Sequence, residues 1–244
     1  MKSSLKWIIS ISFIVCIGIF CFIIFRMTSD IKSDFKEDNW YKDTSPSIVY
    51  DENDDNTDNG LAELVKENPD CVAWLRIDNT KIDYPIMQTK DNEQFYLRRN
   101  FKKEYSYIGT PFLAAQCDID DSDNLIVYGH NMRDGTMFAD LLKYRQKQFG
   151  AKNPVIRLIT LNGCHRYIVC AVVKVKADDD WYTYINNTDE QTFNKLKTQI
   201  ESKALYQVNG ELKYGDKFLT LSTCEYSQTN GRLIVIAKRS DGIC

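Results

Sequence analysis

Histidine is scarce here, with two in 244 residues, and none of the eight cysteines pairs with another in CxxC spacing. The first scarcity confines any histidine chemistry to His130 and His165. The second removes zinc knuckles and thioredoxin-type dithiols from consideration. A basic excess is also missing: 31 Lys and Arg stand against 34 Asp and Glu, for a net charge of -3. That balance argues against a nucleic-acid partner, which would call for a basic face. No internal repeat is visible. The acidic clusters Asp51–Gly60 and Asp118–Asp123 lack the spacing and the late bidentate Glu of an EF-hand, so they read as solvated segments rather than calcium loops.

One long apolar run is present. Trp7 to Phe25 carries no charge and is about the length of a helix that crosses a bilayer. Lys2 and Lys6 precede it and acidic residues follow, the asymmetry that leaves residues 1–6 in the cytoplasm and exports the rest. The run is long for a cleaved signal peptide, and Arg26-Met27-Thr28 makes a poor cleavage site, so an uncleaved anchor fits better. Residues 26–60 hold ten acids and read as a solvated linker. Without these two segments, residues 61–244 are close to neutral. The cysteines outside the anchor are irregularly spaced, and most read as small buried hydrophobes.

Within 61–244, Leu61–Glu67 has the pattern of a short helix that stops at Asn68-Pro69. Short apolar runs predict strands over 72–77, 82–87, 107–115, 125–128, 155–160, 165–175, 217–223 and 233–238, with Asn162-Gly163 as a hairpin turn. Helical spacing recurs over 137–144 and 190–205, and 92–97 suits a helical turn. The pattern is mainly β and suggests a barrel or sandwich.

His130 follows the apolar run Asn124–Tyr128, where a strand passes into a loop, a common place for functional side chains. His165 sits near a hairpin tip and reads as structural. Cys224 ends the run Phe218–Thr223, Asn230-Gly231 turns the chain, and Arg232 opens the returning strand. In an antiparallel hairpin these two residues share one end. A neighbouring guanidinium favours thiolate and can stabilise an oxyanion, and a histidine can protonate a leaving amine. The residues alone leave a second reading open, with Cys224 a core cysteine and Arg232 a solvated charge.

Here the chain resembles the sortases, and class B sortases in particular. The segment Thr220-Leu-Ser-Thr-Cys224 is similar to the family's TLxTC, with Arg232 eight positions on and Tyr128-Gly-His-Asn131 as the histidine motif. Further similar stretches are Val72–Ile77 leading to Ile82–Ile86, Asp91–Leu97, the extra helix at 61–67 and the helix at 190–205. The resemblance covers about 61–240. It implies an eight-stranded β-barrel with an N-terminal helix and a helix before the nucleophile strand, behind one transmembrane helix. It also implies cleavage of a secreted protein's C-terminal P-x-T-type sorting motif after Thr through a thioester, then transfer to a cell-wall peptidoglycan amine. Cys224 would be the nucleophile, His130 the acid/base and Arg232 the oxyanion stabiliser, with the Glu225 N–H completing the oxyanion site. Asn92, Leu97, Tyr128, Tyr184, Ile185 and Ser222 would line the groove. No cofactor or metal is called for. The alternatives are a pilin-polymerising or mainly hydrolytic sortase, and a non-enzymatic exported binding module.

Overall fold

The computed structural model describes residues 2–45, 60–186, 189–207 and 211–240, which form two compact units, Met1–Trp40 and Tyr41–Cys244. Helix α1 (Lys2–Thr44) supplies the first unit. Its window Ser12–Ser29 has mean hydropathy 2.1 and is not buried, so it is long and apolar enough to cross a membrane. The expected linker is partly helical, because α1 runs on to Thr44. Lys, Glu and Asp outweigh helix breakers there, and Pro46 is the first proline of the chain. Residues 46–59, the rest of that linker, lie outside the described residues.

The second unit is a closed barrel. Its strands are β1 (Cys71–Arg76), β2 (Asp83–Met87), β3 (Phe112–Leu113), β4 (Asn124–Tyr128), β5 (Val155–Thr160), β6 (Gly163–Lys176), β7 (Ala204–Gln207), β8 (Phe218–Cys224) and β9 (Gly231–Ser240). The hydrogen-bonded order is β5-β1-β2-β3-β4-β8-β9-β6-β7, and a β5–β6 pairing closes eight of these strands into a ring, with β7 added at the far half of β6. The length of β6 explains this. One edge pairs with β9 from Arg166 to Lys176, while the other is shared, β5 taking the first half and β7 the second.

Most sequence-predicted elements appear within a residue or two, α2 (Leu61–Glu67) with the same bounds. Three differ. The expected strand over 107–115 shortens to Phe112–Leu113, since Pro111 has no N–H for a ladder. The helix at 190–205 ends as α4 (Glu190–Lys203), and the chain then enters β7. A short helix, α3 (Lys147–Lys152), carried no clear period.

Helix α4 starts at Asp189, whose carboxylate accepts the Thr192 N–H at 2.8 Å, an ordinary N-cap. Its buried face, Phe193, Leu196 and Ile200, packs with Trp181 and Tyr184 over Val173, Val175, Phe218, Ile234 and Ile236 of the barrel. Each such side chain contributes about 1.5–3 kcal/mol on burial. The β6–β7 connection is thereby fixed as a wall on the outer face of β8 and β9.

Candidate active site

Strands β4 and β8 run parallel, with Tyr128 opposite Ser222. Parallel strands end at the same edge. The residues that follow β4 and the last residue of β8 therefore emerge side by side, although 94 positions separate them in sequence. Three bonds fasten this exit: the Gly129 N–H donates to the Ser222 carbonyl at 3.1 Å, Thr223 Oγ1 to the Gly129 carbonyl at 2.8 Å, and Asn131 Nδ2 to the Cys224 carbonyl at 2.9 Å. Carried on by two residues, the register brings the backbone at His130 alongside that at Cys224. Strand β9 returns antiparallel from the same edge, with Arg232 opposite Cys224. Side chains alternate along a strand, so Tyr128, Ser222, Cys224 and Arg232 share one face, the face walled by the β6–β7 connection.

The His130 ring is half-buried, and its Nε2 lies 2.9 Å from the Leu97 carbonyl. A carbonyl can only accept, so Nε2 carries the proton and the neutral ring keeps its lone pair on Nδ1. Burial pulls the His130 pKa below its ordinary value. The bond to Leu97 opposes this, and the charge of Arg98 adds to it. After His130 the chain folds back at once, with Asn131 bridging Met137 and Phe138 N–H donating to the His130 carbonyl at 2.8 Å.

Cys224 is a free, partly exposed thiol. Among the described residues, the other free cysteines of this unit, Cys71, Cys117 and Cys170, are buried, and burial pushes them up to about 12, 11 and 12. They are protonated and inert at neutral pH. Cys164 is disulfide-bonded. Arg232 Nη1 donates to the neighbouring Gly231 carbonyl at 3.0 Å. That bond occupies one of five guanidinium N–H donors.

The expected groove residues divide. Tyr128 and Ser222 stand on the Cys224 face. Leu97 is half-buried, and its carbonyl is what orients His130. Asn92 is exposed, and its carbonyl caps the local turn by accepting Thr89 Oγ1 and the Phe95 N–H. Tyr184 and Ile185 lie away from the thiol. The Tyr184 ring is buried against Trp181, Phe193 and Phe218. The Ile185 carbonyl accepts the Asp123 and Asn124 N–H groups at the opposite end of β4, some 13 Å along the strand from Tyr128. The residue that does reach the site from this wall is Tyr182. Its hydroxyl is 2.7 Å from Ser222 Oγ, its ring stacks on Tyr128 at 5.9 Å, and burial pushes it up to about 12. Sequence spacing does not separate Tyr182 from Tyr184, because a short 3₁₀ turn over Asp180–Thr183 sweeps side chains around its axis without a lasting face.

Glu225 also differs from expectation. Its N–H donates to the Gly231 carbonyl at 3.0 Å, closing the β8–β9 hairpin, so that donor is not free to complete an oxyanion site. Its buried carboxylate accepts the Ser227 N–H at 3.1 Å and Oγ at 2.5 Å, with Arg145 and Lys174 at 3.4 and 3.5 Å. Desolvation raises its pKa, but the Ser227 bonds and the Lys174 charge prevail and hold it below the usual carboxylate value. His165 is satisfied by Arg239 at 2.8 Å and Thr160 at 3.3 Å, as its structural reading requires.

Comparison with known proteins agrees with this arrangement. The sortase domain family matches residues 75–240. Sortase B of Listeria monocytogenes is 36% identical over 182 residues, 73% of each chain. The solved sortase B of Clostridium perfringens superposes with a TM-score of 0.68 at 34% identity, covering 74% of this chain and 100% of that one. A Staphylococcus aureus sortase B–substrate complex superposes with a TM-score of 0.69 at 28% identity, covering 74% and 84%. With a matching domain, matching barrel and a cysteine, histidine and arginine gathered at one edge, the chain belongs to the sortase family, in its class B, and is a cysteine transpeptidase.

Proposed function

We propose that this transpeptidase cleaves the C-terminal P-x-T-type sorting motif of secreted proteins after Thr and transfers them to a peptidoglycan amine. The observation that carries the reading is the pairing of Cys224 with Arg232 at the edge where His130 leaves β4. In the first step Cys224 passes its thiol proton to Nδ1 of His130 as its sulfur attacks the Thr carbonyl carbon. The C–S bond forms, the carbonyl electrons move onto oxygen, and the free donors of Arg232 stabilise that charge. Collapse breaks the C–N bond, and the leaving amine takes a proton from His130. In the second step an acceptor amine attacks the thioester carbonyl, the C–S bond breaks, sulfur leaves as thiolate and the amine's surplus proton returns to His130. Since Leu97 holds Nε2, Nδ1 is the nitrogen that exchanges this proton.

Tyr128, Ser222 and Tyr182 serve as the floor and wall of the peptide groove. The apolar helix anchors the enzyme with residues 1–6 inside and the barrel outside, which Lys2 and Lys6 support through the positive-inside tendency. A disulfide at Cys164 suits an oxidising exterior.

The test uses the full chain in detergent with a quenched fluorescent library of P-x-T peptides, beside Cys224→Ala, His130→Ala and Arg232→Ala. Cleavage after Thr that all three variants lose supports the reading, and added amines then distinguish wall transfer from pilin linkage or hydrolysis. Cleavage that persists in Cys224→Ala sinks it.

A further inference from the structure

Beneath the groove wall lies a buried polar cluster that the reaction does not use. Asn124, Trp181 and Thr220 are each fully buried. Thr220 Oγ1 donates to Asn124 Oδ1 at 2.8 Å and accepts Trp181 Nε1–H at 3.0 Å. Asn124 Nδ2 donates to the Tyr184 carbonyl at 2.8 Å, and the Asp123 and Asn124 N–H groups both reach the Ile185 carbonyl. The whole cluster ties one short stretch, residues 181–185, to the start of β4 and the middle of β8. Thr220 stands four residues before Cys224 on the same face of β8, and Ser222, between them, holds Tyr182.

We infer that Asn124, Thr220 and Trp181 are positioning residues for substrate recognition, locking the wall so that Tyr182 is set over the groove before a peptide arrives. This rests on the function proposed above for the wall. The physics is that of a fully satisfied buried network. Every polar atom has a partner, so the network specifies one arrangement, and removing one member strands the others in a dry site. An aromatic cluster alone would hold the wall less specifically, because rings slide over one another with little change in energy. The Thr220 hydroxyl, acceptor for one partner and donor for the other, joins the Trp181 end of the wall to the barrel at a fixed point, as Asn124 does at Tyr184. If the wall were free, the fraction of enzyme with Tyr182 in place would fall, and apparent affinity would fall by the same fraction. The chemical step would not change, since Cys224, His130 and Arg232 are held by β4, β8 and β9 rather than by the wall.

The test compares full-chain Thr220→Val, Thr220→Ser and Trp181→Phe in detergent. Thr220→Val keeps the shape and removes the hydroxyl, Thr220→Ser keeps the hydroxyl, and Trp181→Phe keeps a buried ring without its N–H. Two readouts are taken. Hydrogen exchange of peptides spanning 180–186 reports the wall whether or not a substrate is cleaved. KM and kcat on a cleaved P-x-T peptide, with the rate of Cys224 alkylation, report recognition apart from chemistry. The expected result is exchange about tenfold faster in Trp181→Phe, from the loss of one buried hydrogen bond, and at least as fast in Thr220→Val, which loses two. KM should rise about five- to tenfold while kcat and alkylation stay within twofold, and Thr220→Ser should restore both. Should Thr220→Val fail to fold, Trp181→Phe carries the same expectation. Unchanged exchange in Trp181→Phe overturns the inference. So does a parallel fall in kcat and alkylation, which would mean general disruption. Fast exchange in an enzyme whose wild type cleaves no such peptide would keep the locked wall and refute the proposed substrate instead.

Discussion

Gly129, immediately before His130, has no room for a side chain. A Cβ built there would lie 2.5 Å from Phe138 Cγ and 2.6 and 2.9 Å from its Cδ atoms. Carbon atoms rest at about 3.5–4.0 Å, so Gly129→Ala creates an overlap of about 1 Å. Phe138 cannot yield. It is fully buried, its Cγ is the stem of the ring and so is not moved by a ring flip, and its N–H holds the His130 carbonyl. The backbone at 129–130 must move instead, at about 1–3 kcal/mol for overpacking. At about 2 kcal/mol the expected fall in Tm is about 4–8 °C for a barrel of this size. The loss of activity should be larger than the loss of stability, because displacing the proposed acid/base by about 1 Å costs about 100-fold. The assay is kcat/KM on a cleaved peptide alongside thermal unfolding, for Gly129→Ala, Phe138→Leu and the double variant. Phe138→Leu opens space at the overlap, so the double variant should recover at least tenfold over Gly129→Ala alone. Activity of Gly129→Ala within twofold of wild type, or a double variant no better than the single, would refute the account of how His130 is placed.

Three further outcomes are expected. His130 should titrate, by NMR, below an ordinary histidine, and Arg98→Ala should raise its midpoint. Because the unfolded chain then takes up that proton first, stability should decline as pH falls through about 6.5 and below, and a midpoint above the ordinary value would reverse the sign. Gly231→Ala sets a Cβ 2.3 Å from the Glu225 carbonyl, a backbone atom, so the β8–β9 hairpin must open, with activity down at least about tenfold and Tm lower by several degrees. An unperturbed Tm would contradict this. Tyr182→Phe removes the hydroxyl bonded to buried Ser222, worth about 1–3 kcal/mol. KM should rise several-fold, and an unchanged KM would remove Tyr182 from the groove.

The hairpin that joins Cys224 to Arg232 is legible because the strand-like runs Phe218–Thr223 and Leu233–Ala237 flank a short polar loop that ends in Asn230-Gly231. His130 beside Cys224 was not legible from local pattern. It depends on β4 and β8 pairing in parallel across a long crossover, and only the resemblance brought them together. The wall shows where residue-level reading ran out. The stretch Trp181–Ile185 sets a single polar residue, Thr183, among aromatic and aliphatic ones in a turn without a fixed period, so its spacing does not tell Tyr182, which reaches Ser222, from Tyr184. The Glu225 N–H was expected at the oxyanion site because it follows the cysteine, but its hairpin bond to Gly231 is a matter of turn geometry that sequence does not reveal. The helical stretch after residue 26 was hidden by its charge, which resembles a solvated tail and yet suits an exposed helix.

The parallel union of β4 with β8 also bears on when the enzyme becomes an enzyme. His130 and Cys224 come to one edge through the β4–β8 pairing, whose partners lie 94 positions apart in sequence. Contacts so distant in sequence form late and slowly. A chain in which β4 and β8 have not yet paired therefore carries its thiol without its histidine, although the local β8–β9 hairpin already sets Arg232 opposite Cys224. On the roles proposed above, the thiol gains its proton partner only with that long-range pairing.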